Sequence, residues 1–330
     1  MSARDALTAL LGAEISRPAP AAAQAFAGEL RRRHGGALAA VLFYGSCLRR
    51  GTDEGVLDFY ALVDDYPRAY RSRARNAYSS RALALANAAL PPNVFYLEIP
   101  HEGRRLRAKY AVFSLRDFAR AVQPSALRTG TWARFCQPSL AAYVRDAAAR
   151  DALHAALGTA VETAVLRGLS LLPGDGDARR AEPEALWLGL FRETYGSELR
   201  PESDEGPRAV VAADPTRYAR VLAAALEALE ADARLRIVSR DAGGWQVACP
   251  PGELAATRRR SALRRPFAKA AATLQLLKSA LTFGDWLPYA LWKLERHTGT
   301  RLEPSERQRR HPFVYGWPLI LRVLWKRELR

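Results

Sequence analysis

Residues 41–65, VLFYGSCLRRGTDEGVLDFYALVDD, constrain this chain more than any other stretch. Two short apolar runs flank a charged connector. The first ends in Tyr44-Gly45-Ser46 and the second opens on Val56-Leu57-Asp58. Runs of this length, rich in Val, Phe and Tyr and bounded by Gly, read as strands of a buried sheet. An aspartate inside such a run is expensive to bury without a partner. Asp58 therefore asks for a chemical reason.

The neighbouring segments extend the pattern. Residues 5–34 read as one or two helices interrupted by Pro18 and Pro20. Residues 37–46 and 56–63 are the two strands, and Asp64-Asp65-Tyr66-Pro67 ends the second. A helix follows over 68–89 and closes at Pro91-Pro92. Two more strands are expected at 93–99 and 105–114, linked through His101-Glu102-Gly103. Ser114 with Asp117 three residues on is a helix start. After Pro138 the text turns helical, over 140–171, 182–200 and 215–231, with a charged turn at 201–207. A strand pair, RLRIVS and GWQVAC, then precedes a basic, mostly helical remainder from 253. The expected fold is α+β: a mixed-sheet domain over 1–139, a helical, winged-helix-like domain over 140–252, and a basic C-terminal helical region over 253–330.

Bulk properties narrow the class. At 330 residues and 49% hydrophobic, the chain can bury a large core. Its three cysteines are scattered, which argues against a disulfide framework or a thiolate zinc site and fits a reducing compartment. The N-terminus lacks the apolar core of a secretory signal. No window approaches 18 consecutive apolar residues, so no membrane-spanning helix is expected. The formal charge is +16. Between Gln246 and Arg330, Lys and Arg outnumber Asp and Glu by 17 to 6, a net of +11. Such a region suits a polyanion or an anionic bilayer surface.

A strand ending in Gly-Ser and running into a helix can point backbone N–H groups at a phosphate. An Asp on the adjacent strand can hold Mg²⁺ against that phosphate. Gly45, Ser46 and Asp58 have this arrangement, with twelve positions from Ser46 to Asp58. These are working parts of a nucleotidyltransferase. The usual pattern places a second carboxylate two residues after the first, where this chain has Tyr60. The second metal ligand must then be Asp64 or Asp65, or Glu98 on the next strand. Strand alternation puts Asp58, Tyr60, Leu62 and Asp64 on one face and favours Asp64 over Asp65.

The segments FYGSCL, VLDFYALVDD, NAYSS, VFYLEI and KYAVFSLRDF, in this order, resemble the mitochondrial translocator-maintenance type of phosphatidate cytidylyltransferase and its bacterial relatives. TWARFCQPSLAAYV, AVLRGLSLLPGD, YGSELRPE and KSALTFGDWLPYALWKLERHTG continue the likeness, which covers roughly residues 40–320. Cys47, Ala77 and Ala111 depart from the family's glycine, histidine and glycine. The resemblance implies transfer of a cytidylyl group from CTP to phosphatidic acid, giving CDP-diacylglycerol and pyrophosphate, with Mg²⁺. It also implies roles for Lys109, Ser79 and Arg200 toward nucleotide or phosphatidate phosphate. Arg296 and His297 are further phosphate candidates. The acceptor is a phosphate monoester, already anionic near neutral pH, so positioning and charge neutralisation matter more than a strong base.

A two-tailed lipid substrate requires bilayer contact. Residues 313–325, FVYGWPLILRVLW, are apolar, aromatic and flanked by Arg and Lys, as interfacial segments are. They are too short to span ~30 Å of hydrocarbon as a helix. The expected location is therefore the cytoplasm, peripherally on the inner face of a bacterial membrane. A second reading is a nucleotidyltransferase acting on a small molecule, RNA or a protein. A third is a nucleic-acid-binding protein with an inactive transferase domain. Against the third, the basic region is interleaved with Trp and Leu and lacks a recognition helix, so no nucleic-acid partner is expected.

Overall fold

The computed structural model describes residues 2–71, 77–174, 176–196 and 205–282. Helices α1 (Ala3–Ile15) and α2 (Ala21–His34) lead into strand β1 (Leu38–Tyr44), the short helix α3 (Ser46–Arg50) and strand β2 (Val56–Val63). Helices α4 (Tyr66–Arg71) and α5 (Ala77–Ala89) precede the hairpin of β3 (Asn93–His101) and β4 (Arg104–Ser114). Then come α6 (Leu115–Ala121), α7 (Gly130–Phe135) and β5 (Ser139–Val144). The second half holds α8 (Ala147–Leu171), β6 (Ala178–Ala181), α9 (Pro183–Gly196), α10 (Glu205–Ala212), α11 (Pro215–Ala231), β7 (Arg236–Asp241), β8 (Gly244–Ala248) and α12 (Glu253–Thr282). The class is α+β.

The large sheet has the order β3-β4-β2-β1-β5. Strands β2 and β4 run parallel, and the other neighbours are antiparallel. Parallel neighbours need a long connection, and α4, α5 and β3 provide it. The central strands are apolar on both faces because both are covered. One face carries Val41, Phe43, Phe59, Ala61, Tyr110 and Phe95 and packs against α2, α4 and Ala84 of α5. The other carries Leu42, Tyr60, Leu62 and Phe113 and packs against α6, α7 and α8. That second core continues into the helical half through Leu153, Val161, Trp187, Phe191 and Leu222.

Local chemistry sets several boundaries. Ser114 Oγ accepts the Asp117 amide at 3.0 Å and starts α6. Asp214 accepts the Arg217 amide at 2.9 Å, with Pro215 in the first turn of α11. Asp146 accepts the Ala149 amide at 2.7 Å and starts α8.

That last cap marks a difference from the expected helix over 140–171. Residues 139–144 are β5, paired antiparallel with β1 from Tyr44↔Ser139 to Ala40↔Val144. Pairing with a buried neighbour overrides the weak local preference of an Ala-rich segment. The expected division at residue 139 thus falls at the first residue of a strand of the large sheet. Tyr66 and Pro67 open α4 rather than belonging to a turn, as proline's fixed φ allows at a helix start. The expected strand pair β7–β8 is present, and β6 adds a third strand in the order β6-β8-β7. Helix α10 begins at Glu205, inside the expected charged turn.

Helix α1 belongs to the helical half as much as to the sheet. Leu7, Leu11 and Ile15 enter the same core as α8 and α11. A buried ion pair fixes it there: Arg217 donates to Glu14 through Nε at 2.6 Å and Nη2 at 3.0 Å, and to the Cys136 carbonyl through Nη1 at 2.9 Å. The Arg217 side chain is 4% exposed. Breaking a buried pair from one side leaves a charge without compensation. Glu14→Gln is expected to lower unfolding free energy by about 3–5 kcal/mol, seen as a reduced urea midpoint with an unchanged slope.

Candidate active site

A single row of residues crosses all five strands: Tyr96 on β3, Lys109 on β4, Asp58 on β2, Tyr44 on β1 and Ser139 on β5. Asp58 is in the central strand, with Lys109 as its register partner on one side and Tyr44 on the other. Lys109 Nζ is 3.2 Å from Asp58 Oδ1, and the two side chains are 36% and 23% exposed. Among the described residues, the pair is less covered than Tyr96 and Ser139 at the two ends of the row, which are buried.

Gly45 follows Tyr44 directly and turns the chain into α3. Its φ of 91° and ψ of −162° are open to glycine and costly for other residues. Space gives a second reason: a Cβ on Gly45 would lie 3.0 Å from Asp58 Oδ2. The turn and the carboxylate are therefore in near contact. Ser46 is the first residue of α3, which ends at Gly51 in the left-handed conformation. Gly45, Ser46, Asp58 and Lys109 are brought together as the sequence leads one to expect. Cys47 donates to the Val56 carbonyl at 3.6 Å, and burial, then the Asp58 charge, push its thiol pKa up.

Tyr60 is one pleat further along the same face, and it is 4% exposed. Its ring stacks on Phe113 at 5.6 Å and 8° and meets Phe135 edge-on at 4.8 Å and Tyr44 at 5.3 Å. The position usually given to a second carboxylate is thus packed into an aromatic core.

Asp64 and Asp65, the expected replacements, are placed away from Asp58. Asp64 shares the face of Asp58 but lies six residues along, roughly 20 Å at ~3.3 Å per residue. There it is held by Arg145, at 2.7 Å and 3.1 Å. Asp65 accepts the Arg68 amide at 2.8 Å in the first turn of α4. Both carboxylates lie at the opposite end of the strand from Asp58 and are engaged by arginines there. Glu98, the other candidate, accepts from Tyr96 Oη at 2.7 Å and pairs with Arg107 at 3.3 Å and Arg105 at 3.4 Å. Ser79 is on α5, which packs through Leu83 and Ala84 on the face of the sheet opposite Asp58. Arg200, Arg296, His297 and residues 313–325 lie outside the described residues.

Two links around the site escaped the sequence reading. Arg49, one turn into α3, donates to Gln137 Oε1 at 3.2 Å, and Gln137 Nε2 donates to Tyr195 Oη at 3.4 Å. This chain of contacts ties the Gly-Ser turn to the α7–β5 connection and to the end of α9. Gln137 and Tyr195 both occur within quoted motif segments, the one signal that could have singled them out. On the other flank, Arg104 at the hairpin tip pairs with Asp53 at 2.8 Å and 2.5 Å. Hydrogen bonds from Arg104 hold the Asp53 carboxyl below its usual range. The α3–β2 connector is thereby strapped to the β3–β4 hairpin.

Among the described residues no group of three His, Cys, Asp or Glu side chains is placed to hold a metal ion. Mg²⁺ is commonly bound through one or two carboxylates, with substrate phosphates and water completing its shell. Asp58, with Oδ2 against the Gly45 turn, fits a metal held mainly by a bound triphosphate. In comparisons with family models and with curated proteins, the chain matches none.

Proposed function

We propose that this chain is a CTP-dependent phosphatidate cytidylyltransferase. The observation that carries the reading is the near contact of the Gly45 turn with the Asp58 carboxylate, with Lys109 on the same row. The ordered motif likeness supplies the substrate class. In this reading the Gly45-Ser46 turn and Lys109 hold the triphosphate beside Asp58. Asp58 holds Mg²⁺, which when bound neutralises charge on the triphosphate. A phosphatidate oxygen forms a bond to the α-phosphorus, the bond to the bridging oxygen breaks, and pyrophosphate leaves with that electron pair. Arg49, kept in place by Gln137, orients the turn. Lys109 places its ammonium beside the transferring group.

The sheet through residue 139 is the nucleotidyltransferase-like part of this proposal. The helices with the β6-β8-β7 sheet are the winged-helix-like part. The region from 253 onward delivers the enzyme to an anionic membrane surface from the cytoplasmic side. Among the described residues, no helix is long and apolar enough to cross a membrane.

The deciding experiment follows label from α-³²P-CTP in the presence of Mg²⁺ and liposomes containing phosphatidic acid. CDP-diacylglycerol is the expected product, dependent on both lipid and metal. No such product at any liposome composition overturns the assignment. Label on another acceptor moves it to a different substrate class within nucleotidyl transfer.

A further inference from the structure

The geometry points to Lys109 as the second cation of a site that binds one metal ion. This inference rests on the nucleotidyltransferase reading and refines it. Transfer between two polyanions needs positive charge at two places, beside the entering oxygen and beside the leaving one. Two-metal sites supply it with ions about 3.5–4 Å apart. Such a pair requires more carboxylate than Asp58 alone provides, and among the described residues no group of three His, Cys, Asp or Glu side chains is placed to hold a metal ion.

Here the neighbouring place on the strand is closed. Tyr60 fills it with a ring packed among Phe113, Phe135 and Tyr44, and burying a carboxylate there would leave the charge without a partner. The two oxygens of Asp58 face different groups. Oδ1 meets the Lys109 ammonium at 3.2 Å, whereas Oδ2 is the oxygen nearest the Gly45 turn. One oxygen thus serves a fixed organic cation, and the other serves the metal held at the turn. Parallel pairing of β2 with β4 sets Lys109 beside Asp58 through the backbone. The Lys109 side chain is partly exposed, which lets it reach a phosphate without leaving the carboxylate's neighbourhood. Positive side chains act elsewhere as clamps on transferring phosphoryl groups, in the role a metal ion can also fill.

The test counts metal ions by electron paramagnetic resonance. Mn²⁺ is titrated into the full chain saturated with α,β-methylene-CTP. One analogue-dependent Mn²⁺ per chain is expected. In Lys109→Met the count should remain one while analogue affinity falls about 10- to 100-fold, the loss of a charge-assisted contact. Lys109→Arg should recover most of that affinity. Two analogue-dependent ions in the unaltered chain overturn the inference and leave the proposed activity standing. An analogue affinity unchanged in Lys109→Met also overturns it. Failure of the unaltered chain to bind Mn²⁺ and analogue together overturns the nucleotidyltransferase reading, and this inference with it. The count on the unaltered chain decides even where a variant fails to fold.

Discussion

Asp58→Asn is expected to abolish cytidylyl transfer while leaving a folded protein. The substitution keeps the shape of the side chain and removes the charge that would hold the metal in the proposed reaction. Metal stabilisation of the transferring group is worth several kcal/mol, so the rate should fall on the order of a thousandfold. Stability should hardly move. Asp58 and Lys109 are 23% and 36% exposed, so water still screens the pair and it contributes on the order of 1 kcal/mol. Transfer measured against the thermal midpoint separates the two effects. Retention of most activity in a folded Asp58→Asn protein would remove Asp58 from the chemistry. A fall of many degrees in midpoint would make it a structural residue.

Gly45→Ala is expected to be nearly as damaging, for a different reason. The left-handed φ alone costs of order 1–3 kcal/mol when a side chain is added. The new methyl group would also lie 3.0 Å from Asp58 Oδ2, closer than ordinary contact. Either the turn or the carboxylate has to shift, and both belong to the same site. A misplacement of about 1 Å can cost a hundredfold in rate, so a loss of at least about that size is expected. The variant should still melt cooperatively, within a few kcal/mol of the parent.

What could be read in advance follows from how local each signal is. The strands β1 and β2, the β3–β4 hairpin, the Ser114 cap and the limits of α11 depend on short apolar runs, caps and prolines. All of them are visible in sequence. Strand β5 was hidden because its residues, SLAAYV, run into helix-forming text and become a strand through pairing with β1. Strand β6 was hidden more thoroughly. Its ARRA has no apolar run, yet Arg179 is buried with its guanidinium donating to the Gly176 and Ala178 carbonyls. Gly45 and Asp58 were legible as a pair because strand, turn and strand are consecutive. Asp64 shows the limit of alternation, which reports the face of a strand and says nothing of distance along it.

The parallel pairing of β2 with β4 has a consequence for how the molecule comes into being. Asp58 and Lys109 are adjacent in space but separated by two helices and a strand along the chain. No tight turn can bring parallel neighbours together, so their contact is among the costly, long-range closures that slow folding. A growing chain that has made only the Gly-Ser turn and β2 carries half of its charge arrangement, an aspartate without its lysine. The Asp58–Lys109 contact therefore arrives only with the closure of β4 onto β2, and under the proposed function affinity for nucleotide would report that the native topology has formed.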